Sequence, residues 1–484
     1  MTTQVNTAVV GAGQAGLSVS HYLTMHAVEH IVLEQADQPG DAWRNHRWDS
    51  FTLNTPRWQS RLPGVLYGED DPHGFMAKDE VVGYLEQLAR KLPLRTRARV
   101  SSISCHGGSR SYVLKLDGGE TIMARNVVVA TGLYQTPKIP GLSRNLPPRI
   151  KQLHSDTYRN PEQLLPGAVL VVGSAQSGAQ IAEELYETGR KVYLAVGRAG
   201  RTPRRYRGRD ANWWFARLGA YDRRVGDLPS PRAKFAGKPH ISGTKGGHTL
   251  NLHQFARDGV TLLGRLESIE GNMVKLAPDL HSNLAAADRA EAEFTKAVDA
   301  YVAAAGISVP DEVLPVLRDG FDQDVLTELD LNAAGITNVI WATGYAFDFS
   351  MIKFPVVDDD GFPVQTRGAT TFPGLFFVGL PWLHTAKSGL IYGVGEDARH
   401  IADLIAKQRK AAEEPHASAN VPRLAAAQPK PSRRKTRWAD RVMTLIWSSA
   451  LSLVLDGFAN HATSIHPTAP HEDTTPVQRS QCNN

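Results

Sequence analysis

Short apolar runs recur along the chain, and most are followed by a stretch in which apolar residues return every three or four positions. The first run, Asn6 to Val10, has the pattern of a buried strand; a helical pattern extends to Leu23, and a second strand covers His30 to Glu34. Residues 78–92 place Val81, Tyr84, Leu85 and Leu88 on one helical face. Two alternating segments near 100–105 and 111–115 flank Gly107-Gly108 and predict an antiparallel excursion. Further buried strands are predicted at Asn126 to Val129, Ala168 to Val172, Lys191 to Val196, Asn338 to Trp341 and residues 375–379. Helices are predicted at 178–188 and 283–304, with one of about 12 residues following Gly389 to Gly395 and carrying Ile401, Leu404 and Ile405 on one face. Residues 40–56 are dominated by Gly, Pro and aromatics and predict a long loop. The alternation as a whole predicts an α/β fold.

Two of the strand–helix junctions carry glycine motifs. Gly11, Gly13 and Gly16 form G-x-G-x-x-G directly after the first strand. Gly11 permits the tight turn, Gly13 lets a pyrophosphate approach the backbone, and Gly16 lets helix and strand pack closely. The next strand ends in Glu34, an acid placed to accept hydrogen bonds from a ribose. The second unit, Gly173-Ser174-Ala175-Gln176-Ser177-Gly178, has alanine at the middle position. Its next strand ends in Gly197-Arg198, and Arg201, Arg204 and Arg205 follow. An acid there would repel a 2′-phosphate, whereas an arginine fork favours it. The first unit therefore suits FAD and the second NADPH; the alternative for the arginines is a solvated basic loop. On either side of the second unit, Ala130-Thr131-Gly132 and Ala342-Thr343-Gly344 each end a strand. They are expected to be paired chain crossings between two dinucleotide-binding (Rossmann-like) domains, the NADPH domain inserted in the FAD domain. The expected boundaries are 1–160 and 335–407 for the FAD domain and 161–334 for the NADPH domain.

Composition narrows the function classes. At 484 residues, with 42% hydrophobic and 21% charged positions, the chain has the balance of a soluble globular protein of two to three domains. A net charge of +5 suits an anionic cofactor and gives no reason to expect nucleic acid. Cys105 and Cys482 form neither C-x-x-C nor a metal-ligand set, which removes the dithiol-reductase branch of flavoenzymes and any expected metal site. No signal-peptide pattern opens the chain and no run reaches the roughly 20 apolar residues of a membrane span, so a cytoplasmic location is expected.

Residues 207–250 are rich in Gly, Pro, Trp and basic residues, and Trp213, Trp214 and Phe215 either pack a core or line a pocket. From 408 the composition becomes a basic low-complexity linker through 437, followed by an apolar segment at 438–458 and a polar tail at 459–484. Three destinations stand for 438–458: docking on the parent protein, pairing with another chain, or weak contact with an anionic membrane surface.

The motifs together resemble the flavin-containing monooxygenases, most closely the plant indole-pyruvate monooxygenases and related bacterial flavoproteins. The resemblance covers residues 5–407 and includes His154-Ser155-Asp156-Thr157-Tyr158-Arg159, similar to the end of the family fingerprint F-x-G-x-x-x-H-x-x-x-[YF]. Pro148 and Ile150 depart from that fingerprint at its Phe and Gly, and Gly379-Leu380 departs from a Gly-Asp common near the flavin. The resemblance implies FAD and NADPH as cofactors, molecular oxygen and a small organic molecule as co-substrates, and reaction through a C4a-peroxyflavin. It implies cofactor contacts at Gln14, Ala15, Trp43, Ala130, Thr131, Gly132, His154, Tyr158, Ser174, Gln176, Ser177, Arg201, Thr343, Gly344, Gly379, Gly389 and Leu390, beside the glycines, Glu34 and Arg198 already named. Asn54 matches a family asparagine whose amide donates at the reacting oxygen; as a residue before Thr55-Pro56 it also suits a turn. His154 suits either an NADP contact or a domain junction. The expected activity is thus an NADPH-consuming flavin monooxygenase, with a flavin NADPH oxidase or reductase, and a non-catalytic nucleotide sensor, as alternatives. An oligomer is left open.

Overall fold

The computed structural model describes residues 2–65, 71–105, 111–237 and 239–413. The expected linker beyond 413, the apolar segment 438–458 and the tail 459–484 lie outside the described residues.

The first unit begins with β1 (Thr2–Val10), α1 (Gln14–Met25), β2 (His30–Leu33) and a short α2 (Asp41–Arg44). A hairpin follows, β3 (Thr52–Pro56) and β4 (Phe75–Ala77), then α3 (Lys78–Ala89) and β5 (Leu94–Arg95). The excursion β6 (Val100–Cys105) and β7 (Tyr112–Leu116) leads to β8 (Thr121–Val129). After β9 (Thr136–Pro137), the second unit contains β10 (Lys151–His154), β11 (Ala168–Val172), α4 (Gln176–Glu187) and β12 (Val192–Ala195). A two-strand ribbon, β13 (Arg205–Tyr206) and β14 (Arg209–Asp210), precedes α5 (Ala211–Arg217), α6 (Leu252–Arg257) and β15 (Thr261–Leu263). Then come β16 (Leu266–Glu270), β17 (Met273–Leu276), α7 (Leu280–Ala305), β18 (Glu328–Asp330) and β19 (Ile336–Trp341). The chain returns through β20 (Tyr345–Ala346), β21 (Gln365–Thr366), β22 (Ala369–Thr370) and β23 (Leu375–Phe377) to α8 (Ile391–Glu413).

Two sheets result. In the first, the order is β21-β22-β23-β8-β1-β2-β5, with the β6–β7 hairpin attached to β8. Its centre is parallel: β1 pairs β2 and β8, and β8 pairs β23. The second has the order β10-β19-β11-β12-β15 and is parallel throughout. Continuous apolar runs suit such strands because both faces are covered. In the first unit, α1, α3 and α8 bury Leu17, Leu85, Val394 and Ile401 on one sheet face. The other face packs Ile103, Leu114 and Phe349. In the second unit α4 covers one face through Ile181 and Leu185.

The second sheet is wider than the expected boundaries allow. Both β10, which precedes residue 160, and β19, which follows residue 334, belong to it. Hydrophobicity marks a central strand but does not say which sheet it joins. The two crossings do run side by side: Tyr345 pairs Pro137 and Ala346 pairs Thr136 in the antiparallel β9–β20 ribbon. The expected loop at 40–56 is partly ordered, containing α2 and β3. Helix α8 is 23 residues long rather than about 12, so residues 408–413 are helical instead of linker. Among the described residues no helix is long and apolar enough to cross a membrane.

Candidate functional site

The first glycine turn has the shape its motif demands. Gly11 has φ +104°, and a Cβ added to it would lie 2.7 Å from the Ala130 carbonyl oxygen. A Cβ on Gly16 would come within 1.9 Å of the Gly11 carbonyl oxygen, so α1 sits directly on the turn. At Gly13 the same addition meets nothing within 4 Å. Two glycines therefore serve internal packing, and the third faces open space. Helix α1 begins with no side-chain cap and no acid in its first turn. The early N–H groups of such a helix, here those of Gln14, Ala15 and Gly16, suit an external anion.

Around this cradle the structure gathers several expected residues. Glu34, 7% exposed, accepts from the Ala12 N–H at 2.7 Å and the Ala36 N–H at 3.0 Å. Burial raises its pKa against the opposing pull of these N–H bonds. Gln14 accepts from Trp43 Nε1–H at 2.8 Å and donates to the Gly389 carbonyl at 3.3 Å. It thereby joins α1, α2 and the entry to α8, where Leu390 N–H bonds the Lys387 carbonyl. Gly379 abuts Ala15: a Cβ there would lie 2.4 Å from the Ala15 Cβ.

The second turn repeats the frame. Gly173 has φ +101°, and its added Cβ would lie 2.7 Å from the Ala342 carbonyl oxygen. A Cβ on Gly178 would lie 1.8 Å from the Gly173 carbonyl oxygen. Helix α4 also starts without a side-chain cap or a first-turn acid, leaving Gln176, Ser177 and Gly178 at its open end. Ser174 Oγ accepts the Gly197 N–H at 3.0 Å, tying the turn to the end of β12. Gln176 donates to the Ile241 carbonyl, while its buried Oε1 has no partner among the described residues. The alanine of each A-T-G segment thus lies against the first glycine of one cradle. Gln135 holds Thr131 Oγ1 at 2.9 Å and the Gly132 carbonyl at 2.8 Å, and Thr343 Oγ1 donates to the Lys138 carbonyl. These contacts fit the cradles to two phosphate-bearing groups: each has an open helix start, glycines whose Cβ would collide with backbone, and polar groups at the next strand's end.

Three expected contacts are revised. Tyr158 is fully buried in the second core, and its hydroxyl donates to Glu184 Oε2 at 2.6 Å, so it presents no surface to a nucleotide. Arg201 is 5% exposed and engages Asp288 at 2.7 Å and Glu291 at 2.6 Å. Its charge is neutralised inside the second unit rather than offered to a phosphate. His154 serves the junction: its Nδ1 accepts the Asp156 N–H at 3.1 Å, which leaves Nε2 to donate to the Gly344 carbonyl at 3.1 Å. Burial lowers its pKa, in keeping with that neutral form. Arg198, by contrast, is exposed beside the second cradle.

The sequence pattern did not single out His46. Its Nδ1 meets Asp156 Oδ2 at 2.9 Å and its Nε2 meets Asp41 Oδ2 at 3.0 Å. Hydrogen bonds to Asp156 and then Asp41 raise its pKa to about 9. It links α2 to the turn after β10. Nearby, Trp48 buries itself in the second core. The stretch that composition marked as a loop is a bridge between units, made by contacts between residues more than a hundred positions apart.

Asn54 lies on β3 with its carbonyl accepting from Arg204 Nη1 at 2.8 Å and Asn212 Nδ2 at 3.1 Å. Among the described residues its side-chain amide has no hydrogen-bond partner.

With this geometry in hand, known proteins give a consistent picture. A CzcO-like oxidoreductase of Geobacillus kaustophilus is 34% identical over 406 residues, covering 83% of this chain and 98% of its own. The chain belongs to the CzcO-like oxidoreductases. Residues 8–211 of this oxidoreductase match the family described as pyridine nucleotide-disulphide oxidoreductase. Rice indole-3-pyruvate monooxygenase YUCCA1 is 32% identical over 190 residues, 39% of this chain and 47% of its own length. A flavin-containing monooxygenase from Stenotrophomonas maltophilia shares the fold at 21% identity and a TM-score of 0.57, covering 84% of this chain and 99% of that one. The resemblance to flavin-containing monooxygenases expected from the motifs therefore holds.

Proposed function

We propose that this oxidoreductase is an FAD-dependent, NADPH-consuming monooxygenase acting on a small organic molecule with molecular oxygen. The observation that carries the reading is the pair of like-shaped cradles with unlike chemistry at the following strand end, Glu34 in one and Arg198 in the other. Glu34 suits the free ribose hydroxyls of FAD, and Arg198 suits the 2′-phosphate of NADPH. In this reading Gly11, Gly13, Gly16 and the first-turn N–H groups of α1 hold the FAD pyrophosphate. Trp43, Gln14, Gly379, Gly389 and Leu390 border the flavin portion. Gly173, Ser174, Gln176, Ser177 and Gly178 hold the NADPH pyrophosphate.

Bound FAD would supply hydride acceptance and oxygen activation, chemistry the side chains themselves lack. The protein's part is to orient and to exclude water. Asn54 is the residue assigned to the reacting centre: its amide, without a hydrogen-bond partner among the described residues, would donate a hydrogen bond there through Nδ2. A substrate screen on the holoenzyme, scored by oxygenated product with hydrogen peroxide measured alongside, tests the reading. Product in step with NADPH consumption supports it.

A second reading, a flavin NADPH oxidase or reductase without oxygen transfer, draws on the departures at Pro148 and Ile150. Ile150 is buried with Leu170 and Val339 on the other face of the second sheet, where the family fingerprint has glycine. Peroxide equal to NADPH consumed across the whole screen would favour this second reading.

A further inference from the structure

The hairpin that carries Asn54 is incompletely paired. Strands β3 and β4 pair at Thr52–Ala77 and Pro56–Phe75, with a register shift between. The Asn54 carbonyl therefore needs a donor from elsewhere, and both of its donors, Arg204 Nη1 at 2.8 Å and Asn212 Nδ2 at 3.1 Å, come from the second unit.

These donors are themselves fixed. Arg204, 1% exposed, bonds Asp210 Oδ2 through Nε at 2.8 Å and Nη2 at 2.5 Å, and bonds the Ser242 carbonyl at 3.2 Å. Its guanidinium stands 4.1 Å from the Phe75 ring centroid on β4. Asp210 also caps α5, accepting the Asn212 N–H at 2.8 Å. Tyr221 donates to Asn212 Oδ1, which orients the amide so that Nδ2 faces Asn54. The approach is close enough to demand glycine. A Cβ on Gly243 would lie 1.8 Å from the Leu53 carbonyl oxygen, and one on Gly247 would lie 2.6 Å from the Phe75 ring.

We propose that Arg204, with Asn212, is a positioning residue: it clamps the backbone at Asn54 from the second unit and so aims the Asn54 amide at the reacting centre. The role of Asn54 rests on the monooxygenase reading above; the clamp itself does not. Charge-assisted donation to this half-buried carbonyl gives the strand a fixed register that two neutral bonds would hold less firmly. The arrangement also makes the aim of Asn54 depend on the placement of the second unit.

Two measurements separate these claims. The first is hydrogen exchange across residues 52–56 of the holoprotein, which needs no turnover. Arg204→Met should exchange there at least about tenfold faster than wild type, while residues 81–85 of α3 keep their rate. Asn212→Ala, which spares the Arg204–Asp210 pair, should show a smaller increase and serves if Arg204→Met does not fold. Unchanged exchange at 52–56 in the folded variants overturns the clamp. The second is the rate of hydrogen peroxide release with NADPH and dioxygen alone. Arg204→Met and Asn54→Ala should each raise it several-fold, and the double variant should raise it no further, because both act through one amide. Arg204→Lys should restore part of the loss. Effects that multiply in the double variant overturn the positioning role. Faster exchange in Arg204→Met with peroxide release unchanged in Asn54→Ala would keep the clamp and remove the assigned role of Asn54.

Discussion

Gly11 and Gly173 stand in the same backbone shape, φ +104° and +101°, and a Cβ on either would lie 2.7 Å from an alanine carbonyl oxygen. Their helix glycines agree as closely, with Gly16 and Gly178 each pressed onto the first glycine of its own turn. The units part company at the middle position and at the end of the next strand. Gly13 faces open space where Ala175 carries a methyl group, and buried Glu34 is bonded to its loop where exposed Arg198 lies beside its own. The frame that shapes the turn is shared because backbone packing dictates it. The groups that would touch a nucleotide are free to differ, and they do.

The largest effects should come from the shared frame. Gly16→Val or Gly178→Val puts bulk where even a Cβ lies within 1.9 or 1.8 Å of a backbone oxygen. Both variants should fail to give soluble folded protein, as judged by circular dichroism and yield, and a stable variant at either position would break the parallel. Next comes the open position. Gly13→Val should keep the fold, with a melting temperature near that of wild type stripped of flavin, and should purify without flavin; Ala175→Gly should alter flavin content little. Full flavin content in Gly13→Val would show that the first cradle does not hold FAD.

Arg198→Glu sharpens the strand-end contrast. Loss of one charge-assisted contact should cost about 1.5–3 kcal/mol, roughly ten- to hundred-fold in NADPH preference. Flavin reduction rates with NADPH and NADH at subsaturating concentration measure it, and an unchanged ratio would leave Arg198 a surface residue.

The smallest effect concerns the bridge at His46. Its folded pKa, about 9, lies above the ordinary value of 6.5. Its contribution to stability is therefore fully present below about pH 6.5 and is lost as pH rises through about 9. Asp41 and Asp156 are shifted down, so their share is lost only under acid conditions, as pH falls through their depressed pKa values. Because the His46 imidazole is itself 38% exposed and screened by solvent, His46→Gln should lower the melting temperature by roughly 1–3 °C near pH 6.5. The gap should close above pH 9, and a gap independent of pH would assign the effect to packing.

Much of this was legible from residue pattern. The strand at Ala168–Val172 and the antiparallel excursion at Val100–Cys105 fall where apolar runs and alternation placed them. So do the paired crossings after the A-T-G segments. Long-range choices were not legible. Strand β19 carries the same apolar signal whichever sheet it joins. The arginines after β12 form one basic cluster in sequence, yet Arg201 turns to Asp288 and Glu291, Arg204 to Asp210, and Arg198 to the surface. The acids that make those choices lie up to ninety residues away. Tyr158 matched a family position and proved to be core, because the burial of a side chain depends on neighbours that a motif does not record.

In the proposed function the cradle following β1 holds a flavin and the cradle following β11 holds the NADPH that reduces it. Anaerobic mixing of the purified yellow protein with NADPH or NADH, at equal subsaturating concentration, tests this directly through bleaching of the flavin absorbance. The account predicts bleaching by NADPH at least about tenfold faster than by NADH, the low end expected for one charge-assisted contact. Equal rates with the two coenzymes, or a folded protein that binds no flavin, would contradict it.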